Sequence, residues 1–128
     1  MQLHKPDVVS AATTILDNYG IADLTMRRLA RELNVSPGAL YWHFANKQEL
    51  LGAVADQILR PAVIDGTGLG WSERIHGICR ALREALLSHT DGAELVSSSF
   101  AAGQSVATAG NVVQLIEAAR AAGVAESD

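Results

Sequence analysis

The chain has 128 residues, 48% hydrophobic and 19% charged, which makes it globular and sets its size at one modest domain or a small head joined to part of a second. No apolar run reaches the roughly 18 residues a membrane span needs, residues 1–7 lack the apolar core of a signal peptide, and the one cysteine, Cys79, excludes an internal disulfide and suits a cytoplasmic protein. Net charge is −4, which taken alone disfavours nucleic acid, yet residues 24–47 carry Arg27, Arg28, Arg31 and Lys47 against Glu32 alone, a local +3.

From residue 6 to 19, Val8, Ala12, Ile15, Leu16 and Tyr19 recur at helical spacing. Pro6 suits the first turn, and Gly20 stops the helix as a left-handed cap. Thr25 precedes a second, short helix with Met26, Leu29, Ala30 and Leu33 on its apolar face and the arginines opposite. Asn34, Val35 and Ser36 form a turn. Ser36 can cap a third helix, Pro37 fits its first position, and the pattern runs to about His43. Asn46 caps a fourth helix with Glu49 three residues on, as in a capping box. That helix buries Leu50, Leu51, Val54, Ala55, Ile58 and Leu59 before Pro61 ends or kinks it. Residues 65–70 include three glycines and read as a linker. Ser72 then caps a fifth helix with the stripe Ile75, Ile78, Cys79, Leu82 and Leu86. A polar break at 89–92 leads to a weakly marked helical stretch near 93–100, where three serines are indifferent helix formers. Val112, Val113, Ile116 and Ala119 mark a last helix ending near Gly123. No strand periodicity occurs, and the sequence predicts an all-α protein.

Two short helices joined by a brief turn suggest a helix-turn-helix, in which one helix enters the major groove and its partner braces the backbone. Leu40 and Phe44, four apart, can anchor the third helix to the core. Gly38, Ala39, Tyr41, Trp42 and His43 then face outward. Exposed aromatics on a short polar helix are costly without a partner and suit thymine methyls and phosphates. Taken alone, this pattern does not separate a DNA reader from an ordinary pair of helices.

The run from Ile21 to Leu51, IADLTMRRLARELNVSPGALYWHFANKQELL, resembles the signature of the TetR (tetracycline repressor) family, and its LYWH is similar to the tetracycline repressors in particular. The resemblance implies a three-helix head with a helix-turn-helix over 1–46, a connecting helix over 47–64, and an incomplete helical regulatory domain over 71–128. It implies a homodimeric, ligand-responsive repressor on a palindromic double-stranded operator. Arg27 falls on a base-reading arginine, Tyr41 and His43 on phosphate-contact positions, Trp42 on a residue touching bases or sugar, and Lys47 on a phosphate clamp. Thr25, Arg28 and Ser36 join this candidate surface. Pro37, Gly38 and Ala39 fall where the tetracycline repressors help read sequence, and their small or rigid side chains imply a different operator. Arg28 and Arg31 also suit a solvated surface, Tyr41 also suits packing, and Thr25 is a helix cap first.

The resemblance further implies an effector pocket in the helices after the head, with Ile78, Leu82, Val96, Phe100, Val113 and Ile116 as candidate lining. Val96 stands where the relatives have a metal-contacting histidine, Ile78 where they have an asparagine, and Leu82 where they have an aromatic residue. This implies a small apolar effector rather than a tetracycline–magnesium complex, although the same residues also suit ordinary core. Family members typically run to about 200 residues and dimerise through further C-terminal helices, so a truncated form is expected.

An enzyme is one rival class. His76 and Cys79 lie three apart on the fifth helix, but no further metal ligand is spaced to join them, and Cys79 fits a core stripe. No phosphate loop, carboxylate pair or nucleophile motif occurs, so neither catalysis nor a cofactor or metal is expected. The other rival is a protein-interaction module that keeps the fold and has lost DNA binding.

Overall fold

The computed structural model describes residues 2–104 and 106–124. The regular structure among them is helical: α1 (Lys5–Tyr19), α2 (Met26–Glu32), α3 (Pro37–His43), α4 (Lys47–Leu59), α5 (Trp71–Leu87), α6 (Gly92–Ala101) and α7 (Val106–Ala121), with single 3-10 turns at Ile21–Asp23 and Arg60–Ala62. The all-α expectation therefore holds.

Side-chain caps set most of the early boundaries. The Asp7 carboxylate accepts the His4 N–H at 3.0 Å, Thr25 Oγ1 accepts the Arg28 N–H at 3.1 Å, and Ser36 Oγ accepts the Ala39 N–H at 3.3 Å. Asn46 Oδ1 accepts the Glu49 N–H at 2.9 Å, while the Glu49 carboxylate reaches back to the Ala45 N–H rather than to Asn46 itself. Each bond satisfies an amide that the helix cannot satisfy internally. Helix α2 closes with Asn34 in the left-handed region at φ 56, the Val35 N–H on the Ala30 carbonyl and the Asn34 N–H on that of Arg31. This is a Schellman closure, and asparagine tolerates the conformation better than most residues. Two details depart from the sequence reading. Gly20 has positive φ but extended ψ (88, 175), and α5 starts at Trp71 after an uncapping Gly70, so Ser72 lies inside the first turn.

Helix α4 is the spine. Its Leu50, Val54, Ile58 and Leu59 are fully or almost fully buried together with Val8, Ile15 and Leu16 of α1, Leu29 of α2 and Leu40 of α3. The same apolar cluster continues through Ala85 of α5 and Leu95 and Val96 of α6, so one core runs through the head and the helices after it. Close approach of α4 to the segment after α6 depends on Gly52, where an added Cβ would stand 2.6 Å from the Gln104 carbonyl oxygen.

A polar clasp joins the start of the chain to the turn between α5 and α6. The Asp17 carboxylate lies 3.0 Å from His89 Nδ1 and accepts the Thr90 N–H at 3.3 Å, while Thr90 Oγ1 donates to the Asp17 carbonyl at 2.8 Å. Asp91, itself at φ 53, accepts the Ile21 N–H at 2.9 Å just beyond Gly20.

Helix α5 corrects the sequence reading on one point. Ile78 and Ala85 are buried, but Ile75, Leu82 and Leu86 are half-buried and Cys79 is exposed, not a core thiol. A stripe at helical spacing is wider than the contact surface, and Cys79 sits at its outer edge. Tyr19 likewise points outward, at 57% exposure, and its ring takes the Arg28 guanidinium at 4.4 Å.

Candidate nucleic-acid interface and effector cavity

Helix α3 is held by two residues. Leu40 is fully buried and Phe44, at its C-terminal cap, is 5% exposed, so this seven-residue helix has one fixed face and one free face. The free face carries Trp42, 87% exposed, and Tyr41, 49% exposed, with His43 half-buried beside them. Pro37 and Gly38 are exposed and Ala39 is half-buried. Nothing crowds Gly38, where an added Cβ would find Ser36 Oγ at 3.9 Å as its nearest neighbour.

The elements on either side of α3 carry cations. Arg27 and Arg31 on α2 are exposed and Lys47 opens α4, and among the described residues none of the three is ion-paired with a carboxylate. Arg28 differs, because its guanidinium lies over the Tyr19 ring, which positions it while leaving its N–H groups able to donate. Thr25 and Ser36 use their oxygens to cap α2 and α3, and each hydroxyl still has a hydrogen to donate outward. Lys5 was not singled out by sequence reasoning. Its ammonium lies 5.4 Å from the centre of the Phe44 ring, so α1 adds a cation at the back of the α3–α4 corner. Only the tertiary fold brings residue 5 to residue 44, and no local pattern marks it.

Beyond the head, a cavity of about 280 Å³ lies between the loop after α4, helix α5 and helix α7, lined by Ile64, Gly66, Thr67, Arg74, Ile78, Gln114 and Glu117. The loop is stiffened by Thr67, whose side-chain and backbone hydrogen bonds hold the Asp65 carboxyl below its usual range. Gly66 lets the loop lie on the stem of Arg74, where an added Cβ would meet Arg74 Cδ at 2.9 Å. Gln114 Nε2 donates to the Ile64 carbonyl at 3.4 Å, which fixes the orientation of its amide. Gln114 Oε1 and Arg74 Nε are then shielded from solvent without a hydrogen-bond partner.

The six residues expected around an effector are spread out. Ile78 lines this cavity. Leu82 lies on an open apolar surface with Cys79, Leu86 and Ala93, and Val96 is buried in the common core. Phe100, Val113 and Ile116 are exposed. Among the described residues no group of three or more His, Cys, Asp or Glu is arranged to hold a metal, and no helix is long and apolar enough to cross a membrane.

Comparison with known proteins gives a consistent picture. Residues 8–54 match the family described as bacterial regulatory proteins, tetR family, and residues 65–125 match the tetracyclin repressor-like C-terminal domain. A solved structure of BioQ with its natural double-stranded DNA operator is 75% identical, with a TM-score of 0.96, over 99% of this chain and 75% of that one. The chain belongs to the TetR family. A solved structure of Mycobacterium smegmatis BioQ is likewise 75% identical, with a TM-score of 0.97 over 99% of this chain and 70% of that one. The class E tetracycline repressor protein of Escherichia coli is 37% identical over 97 residues, which are 73% of this chain and 46% of the relative. The chain thus spans about half the length of the curated TetR-family repressors it matches.

Within the TetR frame, the polar groups of the cavity are what sequence reasoning missed. Arg74 and Glu117 look like ordinary surface charges of amphipathic helices, and Thr67 like part of a linker. Their convergence depends on how α5 and α7 pack, which a single sequence does not display.

Proposed function

We propose that this chain contains the operator-reading head and part of the effector domain of a transcriptional repressor that acts as a homodimer in the cytoplasm. The observation that carries the reading is the free face of α3: a nearly fully exposed Trp42 on a helix whose other side is locked by Leu40. An exposed indole, with unpaired cations on the helices before and after it, suits a polyanion with apolar groups in its groove, which is double-stranded DNA. Family membership supports the same reading, as does the solved operator complex of BioQ.

In this reading Arg27 reads a base, Tyr41, His43 and Lys47 hold phosphates, and Trp42 packs on sugar or base. Thr25, Arg28, Ser36, Pro37, Gly38 and Ala39 complete the contact surface. The parts divide as head (1–46), connecting helix (47–64) and effector domain (71–128), in which a small molecule bound against Ile78 alters the spacing of the paired heads. The protein uses no catalytic residue and no cofactor.

Selection of bound sites from random duplex DNA tests this directly, and recovery of one palindromic motif is the expected result. With about six phosphate contacts per dimer, log K against log salt should fall with a slope of about −5. Failure to enrich any motif, with binding that is flat in salt, would leave an interaction module rather than a regulator.

A further inference from the structure

The cavity beside Arg74 has a definite polarity, and its ligand can be narrowed by elimination. Arg74 contributes a positive guanidinium whose shielded Nε lacks a partner. Gln114 contributes an acceptor, Oε1, that only a hydrogen-bond donor can satisfy, because its own amide nitrogen is committed to the Ile64 carbonyl. Glu117 adds a negative charge at the exposed rim, and among the described residues it does not ion-pair with Arg74 across the cavity. Opposite charges that share a small cavity without meeting leave space for something between them. Ile64 and Ile78 supply an apolar wall.

A purely apolar occupant would bury both orphaned atoms for good, at a cost for each. A simple anion would satisfy Arg74 but leave Gln114 Oε1 unmet and face the charge of Glu117. A simple cation would do the reverse. We propose that this cavity binds a small amphoteric molecule, with its carboxylate on Arg74, its amine on Gln114 Oε1 and Glu117, and its hydrocarbon part against Ile64 and Ile78. Guanidinium and carboxylate make the strongest kind of charge-assisted pair, so Arg74 supplies most of the affinity. One turn earlier on α7, Asn111 is 3% exposed with its Nδ2 unpartnered, so the polar character of this helix face extends inward. The proposal rests on reading this half of the chain as an effector domain, and names the class of effector.

The test is calorimetric titration of the full 128-residue chain with straight-chain ω-amino carboxylic acids of about four to eight carbons, a size range suited to a small pocket. Matched alkyl carboxylates, alkylamines and alcohols serve as single-headed or headless comparisons. One amino acid of the series should bind on the order of tenfold or more tightly than any of its matched comparisons. Arg74→Met should weaken that binding on the order of tenfold or more. Gln114→Leu should weaken the amino acid and leave the alkyl carboxylate unchanged, a split that mere damage to the fold would not produce. If Arg74→Met does not fold, as judged by helicity and thermal melting, Arg74→Lys takes its place: it keeps the charge, loses the fork and should weaken binding less than tenfold. Alcohols that bind as tightly as the amino acids, a series in which nothing binds, or amino-acid binding indifferent to both Arg74 and Gln114 would overturn the proposal. Operator affinity of the ligand-free chain is measured alongside. Intact operator binding with no amphoteric ligand overturns only this inference, whereas operator binding absent even at chain concentrations that give a dimer overturns the regulator reading.

Discussion

Replacing Trp42 with alanine separates folding from recognition. The indole is 87% exposed, so its removal leaves no cavity and touches no core contact. Folding stability should therefore change by no more than about 0.5 kcal/mol, and alanine's better helix propensity offsets part of any loss. Recognition should respond very differently. A tryptophan side chain can bury roughly 200 Å², and nearly nine-tenths of this one is available. If DNA covers about half of that surface, at about 25 cal/mol per Å² the contact is worth about 2 kcal/mol. That is a loss of about 30-fold in operator affinity. Guanidinium denaturation gives the first quantity and fluorescence anisotropy with a labelled selected operator gives the second. Leu40→Ala is the contrasting control, because it empties a fully buried site on the same helix and should cost about 2–5 kcal/mol of stability. A Trp42→Ala protein that melts early, or one that holds the operator as tightly as the parent, would refute the assignment of this face.

Arg27→Ala should cost about 1–3 kcal/mol at the selected operator and relax base preference at one position, whereas Lys47→Ala should weaken every sequence alike and flatten the salt slope by about one unit; parallel binding curves on selected and random duplexes compare them. Gly52→Ala should destabilise by about 1–3 kcal/mol, because its methyl would enter the space of the Gln104 carbonyl, and a shifted urea midpoint would report it. Tetracycline with magnesium should show no saturable binding at micromolar concentration, since no group of three or more His, Cys, Asp or Glu among the described residues is arranged to hold a metal and Val96 is buried in the core; a magnesium-dependent change in tetracycline fluorescence would contradict this.

The head was legible in the sequence because its information is local. Pro37 after Ser36, the Asn46–Glu49 pair and Gly20 fix boundaries through bonds a few residues long, and the four-residue spacing of Leu40 and Phe44 decides which side of α3 faces out. The second half was less legible because its contacts are distant in sequence. The apolar stripe of α5 predicted burial for Cys79, yet the helix turns that sulfur outward and uses Ile78 and Ala85 instead. The weakly marked stretch near 93–100 is the well-formed helix α6, whose Leu95 and Val96 are held by tertiary packing that outweighs the modest helix propensity of its serines. Arg28, one of several candidate contacts, is drawn onto Tyr19, a pairing nine residues apart that no periodicity announces.

The clasp of Asp17 with His89 and Thr90, together with Asp91 on the Ile21 amide, limits how this protein can be dissected or recombined. A head cut out after residue 46, or grafted at that point onto a foreign body, would lose those partners and also leave α4 behind, uncovering the apolar faces of α1, α2 and α3 that share its core. The exchangeable unit is therefore larger than the part that would touch an operator: it must include α4 and carry, from much later in the chain, the turn at 89–91 and the first turns of α6. Swapped proteins built to that rule should stay folded, while those joined at the end of α3 should melt or aggregate.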